Sequence, residues 1–272
     1  MLRDITLGQY FPGSSPIHKL DPRMKIILSI LYIVLIFSCK TLYSFALAAV
    51  LAVCLVALSR ISVVTVMKSM KPVLFIIVFT GIMNLLWSGG EHVLVSFWKI
   101  TIYREGVQFA LLMILRIALL IVGTFVILTY TTSPVALTDA IEQLTRPLSK
   151  IGVPTHEFAM MMSIALRFIP TLIEETDKIM CAQKARGADF ETGGLLKRVK
   201  ALIPILIPLF ISSFRRADEL ASAMECRLYH GGEGRTRLKT LRFSASDFVF
   251  LAVFLLLIAA VLWLNRSFEA VL

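Results

Sequence analysis

The sequence has little charge for its length, and that charge is unbalanced. Of its 272 residues, 17% are charged and 57% are hydrophobic, which is more apolar than an ordinary soluble domain of this size. Basic residues outnumber acidic ones, for a formal net charge of +10. The Lys and Arg residues stand between or beside apolar runs, so membrane topology explains them better than nucleic acid does. We predict an integral membrane protein with no nucleic-acid partner.

Motifs for catalysis, metal binding and nucleotide binding are also missing. The histidines show no HxxxH or HExxH spacing and the cysteines no CxxC pair, so we predict no metal site. We expect four packing cysteines: Cys39, Cys54, Cys181 and Cys226. Neither GxxxxGKS nor GxxxxGKT occurs, even in the glycine-rich run at 231–236, which excludes ATP hydrolysis through a phosphate-binding loop of this chain. These absences favour a protein that is not an enzyme.

Long apolar runs dominate the chain instead. A helix needs about 20 apolar residues to cross a bilayer, and the first candidate run follows a good helix start at Asp21-Pro22. We predict an all-α polytopic membrane protein with about five transmembrane helices: Met24–Cys39, Thr41–Leu58, Val73–Ser88, Val107–Thr131 and Asp247–Leu264.

The basic residues beside these runs predict the orientation, because Lys and Arg are retained on the cytoplasmic side. Those from Arg3 to Lys25 place the N-terminus inside, and those from Arg60 to Lys71 follow the second span, again inside. The loop from Gly89 to Gly106 is then outside, the long segment after the fourth span inside, and the C-terminal tail outside. This predicts three parts: residues 1–131 with four spans, a cytoplasmic coupling segment at 132–246, and a last span within 247–272.

The cytoplasmic segment begins with an amphipathic helix. Its apolar residues recur at helical spacing, and Gly152 and Pro154 predict that the helix ends before them. We expect this face to lie along the membrane surface or against another membrane protein. It consists of Leu137, Ile141, Leu144 and Leu148.

Two longer helical tracts follow, Thr155–Gly187 and Leu195–Tyr229, each starting apolar and ending charged. We do not expect either to span the membrane, because both apolar cores are short. The first contains Arg167, and the second contains Pro204 and Pro208. If one alone did span, the last transmembrane helix would reverse direction.

The ends of these tracts are similar when the chain is shifted against itself by 41 positions. Ala182–Gly187 then aligns with Ala223–Leu228, so that Arg186 matches Arg227. Each arginine would stand at a helix C-terminus, where a cation is stabilised by about 0.3 to 1 kcal/mol. Two equivalent ends imply a partner with two similar sockets. Chance similarity, helix capping and contacts with lipid phosphates are the alternatives.

The same alignment reverses a charged pair, since Glu174 and Glu175 match Arg215 and Arg216. If the two helices cross at this level, the acidic pair can bond the basic pair and set the crossing angle. Solvated helix faces are the alternative, because exposed ion pairs contribute only about 0 to 1 kcal/mol.

Arg116 is a charge inside a predicted span, where insertion scales assign about 2.5 to 3.5 kcal/mol to a central charge. Such a residue usually faces protein or water. We expect a structural partner within the helix bundle, ahead of a role at an interface with another subunit.

The opening from Gly8 to Lys25, the paired arginine endings and the order of apolar runs together resemble the transmembrane T component of energy-coupling factor (ECF) transporters. That resemblance implies a membrane scaffold joining two cytoplasmic ABC-type ATPases, which bind ATP and magnesium, to a small capture (S) subunit for a vitamin or metal ion. No cofactor is then held by this chain, and the capture subunit chooses the cargo. The location implied is the prokaryotic cell membrane.

Family members carry two Ala-Arg-Gly motifs at the ends of crossed coupling helices, and each motif inserts into a groove of one ATPase. The resemblance implies that the first motif here is Ala185, Arg186 and Gly187. The second, which departs from the pattern on both sides of its arginine, is Cys226, Arg227 and Leu228.

Two other functions are compatible with a basic membrane protein. A lipid-modifying enzyme would bind phosphate headgroups at the inner leaflet, but it needs clustered Asp, Glu or His at span ends, and these are scarce. A self-sufficient secondary transporter usually shows inverted repeats among its spans, whereas the repeat here lies outside them.

Overall fold

The computed structural model describes residues 10–87, 89, 92–97, 100–190, 194–231 and 240–267. Arg3, Gly8 and most of the run at 231–236 lie outside this description. The described residues fold into two compact units, one within 8–140 and 241–272 and the other within 141–240. The helices are α1 Pro22–Ser38, α2 Leu42–Ser59, α3 Val63–Trp87, α4 Arg104–Thr124, α5 Pro134–Thr145, α6 Thr155–Ala185, α7 Leu195–Cys226 and α8 Ala245–Ser267.

The all-α polytopic prediction is confirmed. Within the described part of the chain, five helices are long and apolar enough to cross a membrane by length and composition: α2, α3, α4 with its extension to Thr129, α6 and α8. The set differs from the predicted one at two places. Helix α1, the first predicted span, has 17 residues and is not among the five. Helix α6 is among them despite Arg167, with a mean hydropathy of 1.2 over its most apolar stretch. A short antiparallel hairpin, β1 Val93–Phe97 and β2 Ile100–Tyr103, adds to the helices in the loop before α4.

Prolines explain two differences in helix length. The third predicted span begins at Val73, but α3 begins at Val63 and keeps Pro72 inside it, as membrane helices often tolerate. The amphipathic helix was predicted to continue through Leu148, but α5 ends at Thr145 and a 3₁₀ helix follows at Arg146–Ile151. Pro147 lacks an N–H and disfavours the α conformation in the residue before it, so the prediction of one continuous helix was wrong.

Helix α1 begins as its sequence predicts. Asp21 occupies the N-cap, Pro22 is in the first turn, and an Asp21 carboxylate oxygen accepts a 2.9 Å hydrogen bond from the Arg23 backbone N–H. This bond satisfies one of the N–H groups that a helix start leaves without a partner.

In the first unit, α4 packs against α1, α2 and α3, and α8 packs against α1 and α2. Close approach of α4 to α1 depends on Gly123, because a Cβ there would lie 2.2 Å from the ring of the buried Tyr32. The Tyr32 hydroxyl donates a 2.8 Å hydrogen bond to the Leu119 carbonyl. After Thr124 the helix widens into a π-helix at Phe125–Thr129. Small residues and interhelical bonds of this kind hold helices together in lipid, where apolar surface gains little by association.

In the second unit, α6 packs against α7. Gln183, near the end of α6, donates to the Pro204 carbonyl, early in α7, at 3.4 Å. Glu175, earlier in α6, is bonded by Ser212 and Arg216, later in α7. The two helices therefore run antiparallel.

The cysteines are less buried than predicted. Cys39 is buried, but Cys54, Cys181 and Cys226 are exposed. The interpretation of all four as packing residues was wrong, because helical position alone does not decide which face of a helix meets the rest of the protein.

Candidate functional site

The first arginine-bearing end closes α6 in a Schellman arrangement. Arg186 is the C-cap residue, and Gly187 adopts a left-handed conformation with φ of 88°. The Gly187 N–H donates to the Lys184 carbonyl and the Ala188 N–H donates to the Gln183 carbonyl, both at 3.0 Å. These are the two bonds that define the motif, so the chain turns sharply away just after the arginine.

The second end closes α7 in the same way. Arg227 is the C-cap residue, and Leu228 is left-handed with φ of 57°. The Leu228 N–H donates to the Glu225 carbonyl at 2.9 Å, and the Tyr229 N–H donates to the Met224 carbonyl at 3.0 Å. Each bond is the equivalent of one in the first end, displaced by the 41 positions of the sequence alignment. The repeat is therefore structural as well as sequential.

Leu228 makes the second end unusual, because left-handed conformations are avoided by residues with a Cβ. Holding leucine there costs about 1 to 3 kcal/mol, whereas Gly187 adopts it without that penalty. A hydrogen bond supports the turn: His230 Nδ1 donates to the Leu228 carbonyl at 2.9 Å. The departure from glycine thus leaves the helix ending unchanged and replaces a bare backbone with an apolar side chain.

Both ends are open to a partner. All six residues of the two motifs are exposed, namely Ala185, Arg186, Gly187, Cys226, Arg227 and Leu228. Neither arginine forms an ion pair with any residue that the structure describes. Each guanidinium is free to offer two parallel hydrogen bonds to a carboxylate, which a lysine cannot do.

The antiparallel packing of α6 and α7 puts the two ends at opposite ends of the helix pair. Arg186 closely follows Gln183, which bonds Pro204, whereas Arg227 lies most of a long helix beyond Pro204. At a rise of about 1.5 Å per residue, the arginines are separated by on the order of 30 Å. Two such contacts suit two separate sockets better than one shared pocket.

One of the predicted charge pairs is brought together between α6 and α7. Arg216 Nη2 donates to Glu175 Oε2 at 2.7 Å, and the Ser212 hydroxyl donates to the other oxygen of the same carboxylate. Glu174 and Arg215 are exposed and form no ion pair among the described residues. Contact is therefore limited to one residue of the acidic pair and one of the basic pair, because neighbouring residues on a helix point about 100° apart. That this pair sets a crossing angle stays a prediction.

The predicted amphipathic face lies on α5 and is only partly covered. Leu137 is half-buried, while Ile141 and Leu144 are exposed. The side chain of Leu148 lies outside the described residues. An apolar face of this kind is left for lipid or for another protein.

Arg116 finds its partners inside the bundle. Its Nη2 donates a 2.5 Å hydrogen bond to the carbonyl of Cys39, the C-cap residue of α1, and its guanidinium lies 5.3 Å from the centre of the Phe45 ring. A cation at a helix C-terminus and over an aromatic face is favourable on both counts. These contacts lie within the bundle, as the structural role requires.

The sequence analysis missed a buried polar cluster beside α1. The Lys25 side chain is 1% exposed, and its Nζ donates to the carbonyls of Thr131 at 2.7 Å and His18 at 3.2 Å. Asp247, also buried, accepts the Asp21 backbone N–H at 2.9 Å. The signal available was Asp247 itself, an acidic residue at the edge of an apolar run.

The helical bundle and the two matched arginine ends define a polytopic helical membrane protein with a pair of exposed, similarly closed helix ends. A family model described as "Cobalt transport protein" matches residues 13–238. The chain is 52% identical over 250 residues to the energy-coupling factor transporter transmembrane protein EcfT of Clostridium kluyveri, covering 92% of each chain. It is 42% identical to EcfT of Bacillus subtilis over 267 residues, covering 98% of this chain and 100% of that one. This chain therefore belongs to the family of transmembrane components of ECF transporters.

Proposed function

We propose that this chain couples two ABC-type ATPase subunits to a substrate-capture subunit in an importer for vitamins or other micronutrients. The observation that carries the proposal is the identical closure of α6 and α7, which presents Arg186 and Arg227 as two exposed, equivalent contacts. The names of the relatives support a transporter subunit and give no support to the alternative of a lipid-modifying enzyme.

ATP and magnesium belong to the partner ATPases in this proposal, since no phosphate-binding loop motif occurs in the sequence. Each arginine enters a groove on one ATPase and pairs there with a carboxylate. Desolvating such a pair fixes the position of the helix end, because the planar guanidinium of arginine bonds a carboxylate in only a few orientations.

The capture subunit requires an apolar surface, and the unit formed by residues 141–240 offers one. Helix α7 exposes a row of large apolar side chains at helical spacing, Leu206, Ile207, Phe210, Ile211 and Phe214. An exposed apolar row of this length marks a contact with a protein or with lipid. The α5 face is a second candidate for the same contact.

The proposed mechanism is mechanical. ATP binding brings the two ATPases together, and the arginine-bearing ends move with them. Helices α6 and α7 are held to each other through Glu175, Ser212 and Arg216, so a movement of their ends is transmitted along both helices. The apolar parts of the helices then shift and change the surface that holds the capture subunit. Only contacts that differ between the two states can drive this step.

The proposed location is the prokaryotic cell membrane, with the N-terminus and the segment at 132–246 in the cytoplasm. The support is the distribution of basic residues, together with the need of both arginines to reach cytoplasmic ATPases.

Removal of the arginines tests the coupling role. We expect Arg186→Ala and Arg227→Ala each to weaken retention of the ATPases on the tagged chain, by about 2 to 5 kcal/mol if each arginine forms a buried charge pair. The measurement is quantitative pull-down from membranes containing both ATPases and the capture subunit.

Arg215→Ala is the matched control, because Arg215 is exposed on α7, the helix that ends at Arg227, and forms no ion pair among the described residues. It should leave retention unchanged. Full ATPase retention by the Arg186→Ala, Arg227→Ala double variant would refute the proposed function.

A further inference from the structure

Leu228 is exposed in a way that the fold of this chain does not explain. Its side chain is 79% exposed, although it is a large apolar residue in the conformation that glycine occupies at the equivalent position of the first end. A glycine at 228 would close α7 with the same two backbone bonds and without strain. Leucine therefore gives the isolated chain no stability at this site.

Hydrogen bonds fix the backbone of this residue. The Leu228 N–H donates to the Glu225 carbonyl at 2.9 Å, and His230 donates to the Leu228 carbonyl at 2.9 Å. Leu228 directly follows Arg227, and both residues are exposed, so one partner surface can contact both. The first end has only hydrogen at this place, because its residue is Gly187.

We propose that Leu228 makes the two ends selective, by inserting into an apolar recess present beside the arginine groove of only one of the two ATPase subunits. The α7 end then fits one ATPase and not the other, while the smaller α6 end fits a groove without a recess. This inference rests on the proposed function and adds to it a rule for which ATPase takes which end. Burying one leucine side chain supports roughly a ten- to hundredfold difference in affinity.

Leu228→Gly tests the inference, because stability and binding should change in opposite directions. The purified full chain should unfold at the same or a higher temperature, since the left-handed strain is removed. In pull-down of the complete complex, one ATPase should fall by about tenfold or more while the other stays unchanged. Loss of both ATPases in equal measure, or of neither, would overturn selectivity by Leu228.

Two further variants separate the side chain from the backbone. Leu228→Asn introduces a residue that tolerates the left-handed conformation and removes the apolar group. This variant should therefore lose the same ATPase as Leu228→Gly. Leu228→Met keeps an apolar group and should retain that ATPase. The reverse order of these two variants would show that backbone conformation, and not apolar contact, is responsible.

Arg227→Ala distinguishes the inference from the proposed function. If Arg227→Ala weakens ATPase retention and Leu228→Gly does not, the inference alone fails. If neither does, the α7 end is not an ATPase contact and both fail.

Discussion

At the residue scale, the least expected feature is a fully buried lysine. Lys25 satisfies two backbone carbonyls, from Thr131 and His18, and lies near the carboxylates of Asp21 and Asp247. Thr131 marks the last turn before the segment at 132–246 begins. Lys25 therefore ties the N-terminal stretch to the point where the chain leaves the bundle.

We predict that Lys25→Met destabilises the protein by about 3 to 5 kcal/mol, because it leaves buried acceptors without a donor and removes a buried compensating charge. Thermal unfolding of the purified chain in detergent measures this. Lys19→Met is the control, since Lys19 is exposed, and it should be close to neutral. A Lys25→Met protein as stable as the control would show that the cluster is not stabilising.

The sequence indicates the structural role of Arg116 but not that of Lys25, for a physical reason. Arg116 interrupts a long apolar run, so its cost in a membrane is evident from the sequence. Lys25 stands at the edge of a run, where a basic residue has a sufficient explanation as a topological signal. Its burial follows only from the packing of distant segments over it.

At the element scale, local sequence predicted which segments are helical better than where they end. The start of α1 at Asp21-Pro22 and the breaks near Gly152 and Gly187 follow from backbone preferences of the residues themselves. The left-handed closure at Leu228 does not, because leucine disfavours that conformation and only its hydrogen-bonded surroundings hold it there. The early end of α5 follows from Pro147, which disfavours the α conformation in the residue before it.

The Glu175–Arg216 pair gives a prediction that belongs to the α6–α7 contact. A double-mutant cycle with Glu175→Gln and Arg216→Gln should show a coupling energy of about 0.5 to 1 kcal/mol in chemical or thermal unfolding, because both groups are partly exposed. The neighbouring pair Glu174 and Arg215, treated in the same way, should show none.

A charge-reversed variant sharpens that cycle. Glu175→Arg combined with Arg216→Glu should recover part of the stability lost in either single reversal. A loss in the double variant equal to the sum of the two single losses would indicate that the pair does not couple the two helices.

At the scale of the whole molecule, the direction of the last span, α8, depends on whether α6 crosses the membrane. Its length and hydropathy permit crossing, and its Arg167 argues against it. If α6 crossed alone, both arginine ends would lie outside the cell, where cytoplasmic ATPases cannot reach them.

Cys226 reports this topology directly, because it is exposed and lies next to Arg227. In a variant with the other three cysteines replaced by serine, a membrane-impermeant maleimide should label Cys226 in inside-out vesicles and not in intact cells. In a separate variant with all four cysteines replaced by serine, Gly89→Cys, in the loop after α3, should show the opposite pattern. Labelling of Cys226 in intact cells would place α6 across the membrane and remove the basis for ATPase contact.

The amino-acid sequence by itself determined that this is a helical, polytopic membrane protein with two equivalent arginine endings and a place in the ECF transporter family. These properties depend on composition, periodicity and motifs, which are local or repeated along the chain. Tertiary structure alone decided that Lys25 is buried, that Glu175 rather than Glu174 meets Arg216, and that Leu228 closes its helix as Gly187 does. The first two depend on which distant groups surround a residue, and neighbours in space are not neighbours in sequence. The third depends on hydrogen bonds within residues 224–230, which hold leucine in a conformation that its own backbone preference disfavours.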